Sequence, residues 1–369
     1  MTQSTPRASA GFTIIELLVA VAITAAMAAM MLAMTTNIMS SWTRASGNLS
    51  AQTQARLALD YLQRDLERTI FRQDGNVWFA VDTVGQGEQN LWQSPSDSSR
   101  AKPTGAPGNS NADWDPNNIR FGWAGVWMRF FTADPDVNAV SYQIVRRTPV
   151  QRTSVQAEID SRARYMLYRS RVGSESTFAN GYDILNQSYN PTGGANPSAD
   201  GALEFAGADP GANPDLDAAE VRFPSRDTLL ANNVVDFGVR LFWRTVDPGD
   251  NDRPVYKEIF PNPIPGPNNA QFAHRSPALP GQAPQPESFT SASYGTYDYP
   301  GTDPTGATEA STRIPNVAEI TLRILTDEGA TLLLNYEAGR IEGDWWDIVE
   351  AHSRIFTRRV VLRNAPATR

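Results

Sequence analysis

Cysteine is absent from all 369 residues, and histidine occurs only at His274 and His352. A chain without thiols forms no disulfide and offers no thiolate to a metal. His274 falls in a proline-rich loop and His352 near the last expected strand, so both read as surface residues. No G-x-S-x-G, P-loop, H-E-x-x-H or dinucleotide fingerprint occurs. The chain is therefore expected to be no enzyme and to carry no cofactor, and no small-molecule substrate is expected.

Positive charge is also in short supply. Thirty-two Lys and Arg face 40 Asp and Glu, a net charge of −8. Contacts to phosphate backbones need clustered bases, so nucleic acid is not an expected partner. Proline is missing between Pro6 and Pro95, and charge is missing from Leu17 to Thr43. Nothing in that interval obliges a helix to kink.

What fills the uncharged interval is a run of Ala, Val, Ile, Leu and Met from Phe12 to Met39, preceded by Gly11. At 1.5 Å per residue, about 20 residues cross a hydrocarbon core of ~30 Å, so the run is long enough to span. A secretory signal would place its small-residue cleavage site after the apolar stretch. Here the small residue comes first. Within the opening of the run sits one acid, Glu16. Such a residue costs at least about 2.5–3.5 kcal/mol at the centre of a membrane and is a functional hypothesis by default.

The stretch Gly11-Phe12-Thr13-Ile14-Ile15-Glu16-Leu17-Leu18 resembles the N-terminus of type IV prepilins and of type II secretion pseudopilins. The resemblance implies that prepilin peptidase cuts between Gly11 and Phe12 and that Phe12 is N-methylated. The apolar helix would then stay on the mature chain, and the partners would be the peptidase, the inner membrane and other pilins or pseudopilins packed through that helix. Cleavage leaves an ammonium on Phe12, and Glu16 would answer a neighbour's ammonium during assembly. A buried charge is tolerated only when paired, so the acid would select axial register. Principal pilins commonly carry a helix-kinking proline at the position of Ala33, and its absence here favours a minor subunit.

Beyond the run, Leu59, Leu62, Leu66 and Ile70 recur at helical spacing, with Ala55, Ala58 and Tyr61 nearby. Asp60 and Arg64 are placed to support the opposite face, and Asp74-Gly75-Asn76 supplies a stop. One helix from Phe12 to Phe71 would be about 90 Å long. Strands are expected over Trp78–Val84, Val126–Thr132, Val140–Arg147, Tyr165–Val172, Val234–Trp243, Ile314–Leu325, Ala330–Tyr336 and Arg354–Leu362. Tyr165–Val172 reads as half solvated, and Asp327-Glu328-Gly329 as a hairpin turn between strands. Ser94–Asn118, Asn186–Ala219 and Pro261–Gly306 are dense in Pro, Gly, Asn, Ser and Asp, and read as long loop insertions.

Two further motifs have an ordinary and a functional reading. Asp247-Pro248-Gly249-Asp250-Asn251-Asp252 could hold calcium but lacks the EF-hand spacing, so a solvated acidic turn is expected. In Asp344-Trp345-Trp346-Asp347 one tryptophan is expected in the core, and the other could be an exposed partner anchor.

Asp60-Tyr61-Leu62-Gln63-Arg64-Asp65-Leu66, Leu229 to Phe237, Ile314 to Leu322 and Phe356 to Asn364 are, in that order, similar to segments of J-type minor pseudopilins and W-type minor pilins. Large prepilin-like proteins of verrucomicrobial cassettes are another relative implied. The expected organisation is a leader over 1–11, a transmembrane or filament-core helix over 12–40, its amphipathic continuation over 41–74 and a β-rich domain over 75–369. Insertions lie near 94–118, 186–219 and 261–306. The expected fold class is α+β, a long N-terminal helix packed on a single antiparallel sheet.

The resemblance implies a structural subunit of a type IV pilus or type II pseudopilus, near its tip. The N-terminus would be cytoplasmic before processing, with the domain periplasmic or in a surface filament. The alternative is a membrane-tethered binding or adhesion module that never polymerises.

Overall fold

A computed structural model describes residues 13–72, 74, 76–83, 92–102, 126–133, 135–150, 155–190, 216–247, 253–260, 263–264, 271–272, 275–276, 285–286, 288–290 and 315–362. Two compact units divide the chain, residues 1–49 and 50–369. Helix α1 (Ile14–Glu67) begins in the first and ends in the second.

In the second unit Ala51, Ala55, Ala58, Leu59, Leu62 and Leu66 are buried. Steps of three and four residues keep them on one stripe, as the sequence predicted. Each buried leucine contributes about 1.5–3 kcal/mol relative to exposure. The helix stops at Glu67, short of the expected Asp74-Gly75-Asn76. The backbone beyond it is captured by a strand instead: Thr69 bridges Thr132, Ile70 N–H donates to Phe131 C=O at 3.0 Å, and Ala133 N–H donates to Arg68 C=O at 3.1 Å.

The strands and short helices follow in order. They are β1 (Phe79–Thr83), β2 (Val126–Ala133), β3 (Val137–Arg147), α2 (Gln156–Arg162), β4 (Arg164–Val172), α3 (Ser174–Asn180) and α4 (Leu216–Ala219). Next come β5 (Leu229–Asn232), β6 (Val234–Asp247) and β7 (Arg253–Phe260). Two small ladders pair β8 (Pro263–Ile264) with β9 (Gln271–Phe272) and β10 (Arg275–Ser276) with β11 (Gln285–Pro286). The chain continues through β12 (Ser288–Thr290), β13 (Val317–Leu325), α5 (Asp327–Glu337), α6 (Trp345–His352) and β14 (Ser353–Val361).

The layout is α+β with antiparallel pairing, as expected. Where the sequence suggested one sheet, the strands form two principal ones. Their orders are β12-β1-β2-β3-β4-β5 and β14-β13-β6-β7. The chain changes sheet at Asn233, whose φ of 58° turns it from β5 into β6. Asparagine tolerates this left-handed conformation better than most residues. Its side chain also donates to Asp327, and its carbonyl accepts from Leu325 N–H.

One contiguous core joins the α1 stripe, both sheets, α5 and α6. Trp78, Phe130, Phe131, Tyr142, Phe237 and Trp345 are among its largest fully buried members. Strand β4 is more enclosed than its half-solvated pattern implied, with Arg171 its one exposed residue. Arg169 on the same face is drawn inward by an acid on α1.

Two regions correct the sequence reading. Ala330–Tyr336 belongs to helix α5, not a strand. Thr326 caps it by accepting from Gly329 N–H at 3.1 Å, and Asp327 and Glu328 suit the positive end of the helix dipole. The motif Asp327-Glu328-Gly329 is therefore a helix start rather than a hairpin. Asp344 likewise caps α6, accepting from Trp346 N–H at 2.8 Å and Asp347 N–H at 3.2 Å. Both tryptophans are buried, with rings edge to face at 4.7 Å, so neither is an exposed anchor. His352 is the last residue of α6, next to β14 as expected, but half-buried rather than on the open surface.

Candidate functional site

The first candidate is the start of α1. Thr13 precedes the helix, and its side chain and that of Glu16 form a reciprocal cap. Thr13 N–H and Thr13 Oγ1 each lie 3.0 Å from Glu16 Oε2, and Glu16 N–H donates to Thr13 Oγ1 at 3.3 Å. This is the Thr-x-x-Glu capping box, which satisfies two of the free N–H groups of a helix start. It places Glu16 at the N-terminal end of the apolar helix. Gly11 and Phe12 lie outside the described residues.

From Thr13 to Ser46 every residue of this unit is exposed. Among them are Ile14, Leu18, Met30, Leu32 and Met39, each at least 62% exposed. Apolar side chains point in all directions, the pattern of a helix built for lipid or for other helices. Hydroxyls of Thr24, Thr35, Thr36, Ser40 and Thr43 turn back on their own backbone. Thr24 donates to Ala20 C=O at 2.5 Å, Thr35 to Met31 C=O at 2.8 Å and Thr43 to Met39 C=O at 3.0 Å. Hydroxyls satisfied in this way can enter hydrocarbon without leaving a bare donor. The helix is long and apolar enough to cross a membrane.

The second candidate is the set of contacts that fasten the other end of α1, within the second unit. Asp65 accepts from Arg169 Nε at 2.8 Å and Nη2 at 3.1 Å, and also from the Tyr142 hydroxyl. The Arg169 guanidinium lies 5.2 Å from the centre of the Tyr61 ring. Burial opposes the charge on Arg169, yet Asp65 and Tyr142 outweigh it and its pKa is raised. Burial, together with the Asp65 charge, pushes Tyr142 well above the usual tyrosine range. Asp60 feels the favourable charge of Arg64 on its own helix, but its direct partner lies elsewhere. It accepts from Arg358 of β14 at 2.5 Å, and Gln63 accepts from the same guanidinium at 3.1 Å. Gln54 accepts from Asn232 N–H at 2.8 Å.

Sequence reasoning missed a third group, a buried hub on Glu337. This carboxylate accepts from Arg146 Nε and Nη2 at 3.0 and 2.7 Å, from Trp345 Nε1 at 3.1 Å and from the Tyr165 hydroxyl. Both oxygens are fully used, which suits a structural tie rather than a reacting acid. Helical spacing from Ala330 to Glu337 was the signal available in the sequence. Lys102 is a further buried charge, 2.8 Å from Val235 C=O and 3.4 Å from Asp236, and burial lowers its pKa.

Among the described residues no group of three or more His, Asp and Glu is placed to hold a metal. His274 and residues 248–252 of the candidate calcium turn lie outside the described residues. Most of the three expected insertions does so too.

Among protein families, the prokaryotic N-terminal methylation motif matches residues 6–32. That stretch contains Gly11, Phe12 and Glu16 and the first part of the exposed apolar helix. No curated protein and no solved structure matches the chain. The motif supports a type IV pilin-like protein, and with the apolar helix it fits anchoring in the inner membrane.

Proposed function

We propose that this chain is a minor pilin or pseudopilin, a structural subunit that performs no reaction itself. Prepilin peptidase cuts it between Gly11 and Phe12, Phe12 is methylated, and the exposed helix packs among those of other subunits. The observation that carries this reading is the match to the methylation motif at the head of an apolar helix exposed on every side. Glu16 then sets axial register against a neighbour's N-terminal ammonium, because a charge among packed helices needs a partner. The ties from Asp65, Asp60 and Gln54 support the same reading, since a filament subunit must pass load between its helix and its domain. The domain lies on the periplasmic side or in a surface filament, near the tip.

N-terminal mass analysis of membrane protein from cells with and without the peptidase tests this. A mature chain beginning at methylated Phe12, seen only with the peptidase, supports the proposal. An intact chain in both strains removes it.

A further inference from the structure

The lower end of the apolar helix is marked by Glu16; its upper end carries a second marker that the methylation motif does not reach. Trp42 is 76% exposed, and two residues later comes Arg44, the first charge after Glu16. Tryptophan collects at membrane–water interfaces, where its ring meets the headgroups and its N–H finds an acceptor. Arginine nearby adds a cation for lipid phosphate.

Length decides whether the two ends fit one bilayer. Glu16 and Trp42 are 26 residues apart on an unbroken helix (42 − 16), a rise of about 39 Å. A hydrocarbon core is about 30 Å thick, and about 40–45 Å with both headgroup layers. The helix therefore places both residues in headgroup layers at once, with little tilt. A competing register would start the core at Ile14 and end it near Met34, leaving Trp42 in water. That register sinks the Glu16 carboxylate into hydrocarbon, which is dearer than covering Asn37 and the self-bonded Thr35 and Thr36 near the far edge.

We infer that Trp42 and Arg44 form a phospholipid-headgroup anchor on the far leaflet, which with Glu16 fixes how deep the unassembled subunit sits. This rests on the membrane-spanning reading above. The anchor holds the helix before assembly, and its occupant is the headgroup layer: the tryptophan N–H meets lipid carbonyl or phosphate oxygen, and the guanidinium meets phosphate.

The natural absence of cysteine makes the test clean. Single cysteines are placed at Asn37, Met39, Ser41, Ala45 and Leu49 of the full chain in sealed membranes and treated from the far side with an impermeant maleimide. The expected result is loss of labelling at Asn37 and Met39 and full labelling at Ala45 and Leu49. Adding Trp42→Ala with Arg44→Ala should shift the onset by about one helical turn toward the N-terminus. Full labelling at Asn37 in the otherwise unchanged chain would overturn the anchor, as would an onset that the double substitution leaves in place. Labelling at every position, with a control cysteine at Ala25 also reacting, would instead overturn the membrane span itself.

Discussion

Asp65 on α1 and Arg169 on β4 meet in a two-pronged ion pair, with Nε and Nη2 at 2.8 and 3.1 Å from the two carboxylate oxygens. The acid is 4% exposed and so has no water to fall back on. Removing one partner of a buried pair strands the other. Asp65→Ala should therefore lower stability by on the order of 3 kcal/mol, the low end for such pairs because Arg169 keeps some solvent contact. Thermal unfolding of the detergent-solubilised protein reads this, and a change under a few tenths of a kcal/mol would contradict the tie.

Tyr142 and Tyr165 hand the structure a weakness to alkali. Burial, with Asp65 beside one and Glu337 beside the other, raises both well above the usual 10.0. A group with a raised folded pKa gives its full stability below the unfolded value and loses it as pH climbs. Melting temperature should hold steady below pH 10 and fall above it. Tyr142→Phe and Tyr165→Phe should each flatten that fall while costing stability at neutral pH. Melts from pH 8 to 11.5 decide it, and an equal slope in the variants would be the contrary result.

Gly329 of α5 lies against His352, the last residue of α6. A Cβ there would stand 2.4 Å from His352 Cβ and 3.0 Å from its carbonyl oxygen. Alanine is the better helix former, yet overpacking of this kind costs about 1–3 kcal/mol. Gly329→Ala should thus destabilise, by denaturant titration, where helix propensity alone would have it stabilise.

Glu16→Ala leaves the greasy helix and the residues flanking the cut intact. The chain should still be cleaved and membrane-bound but enter filaments poorly. Intact mass on the membrane fraction and subunit content of sheared filaments measure the two separately. Incorporation at the level of the unaltered chain would remove the register role of Glu16 and favour a tethered module.

Much of this was written locally. The helix and its buried stripe follow from the spacing of Leu59, Leu62 and Leu66, and seven of the eight expected strands follow from their aromatic and β-branched runs. Ala330–Tyr336 misled because a short apolar run looks alike in either state, and the deciding cap at Thr326 lies outside the run. Trp345 and Trp346 misled because adjacency forbids shared burial on one face of a strand but not at the inner corner of a helix. Asp65, Glu337 and Arg358 could not be paired from sequence, since their partners come from across the fold. The start of the candidate site, Gly11 to Glu16, was legible as a motif because its chemistry is contiguous.

The tie between Asp60 and Arg358 joins residues 298 positions apart, and β1 takes β12 as its neighbour from the far side of the chain. Such pairings close last, since long-range contacts cannot repay their loop entropy early. The base of α1 cannot be fully seated until β14, the last strand among the described residues, has formed. On the membrane-anchored reading proposed above, the bilayer would hold the chain by its first helix while the domain behind it is still unfinished.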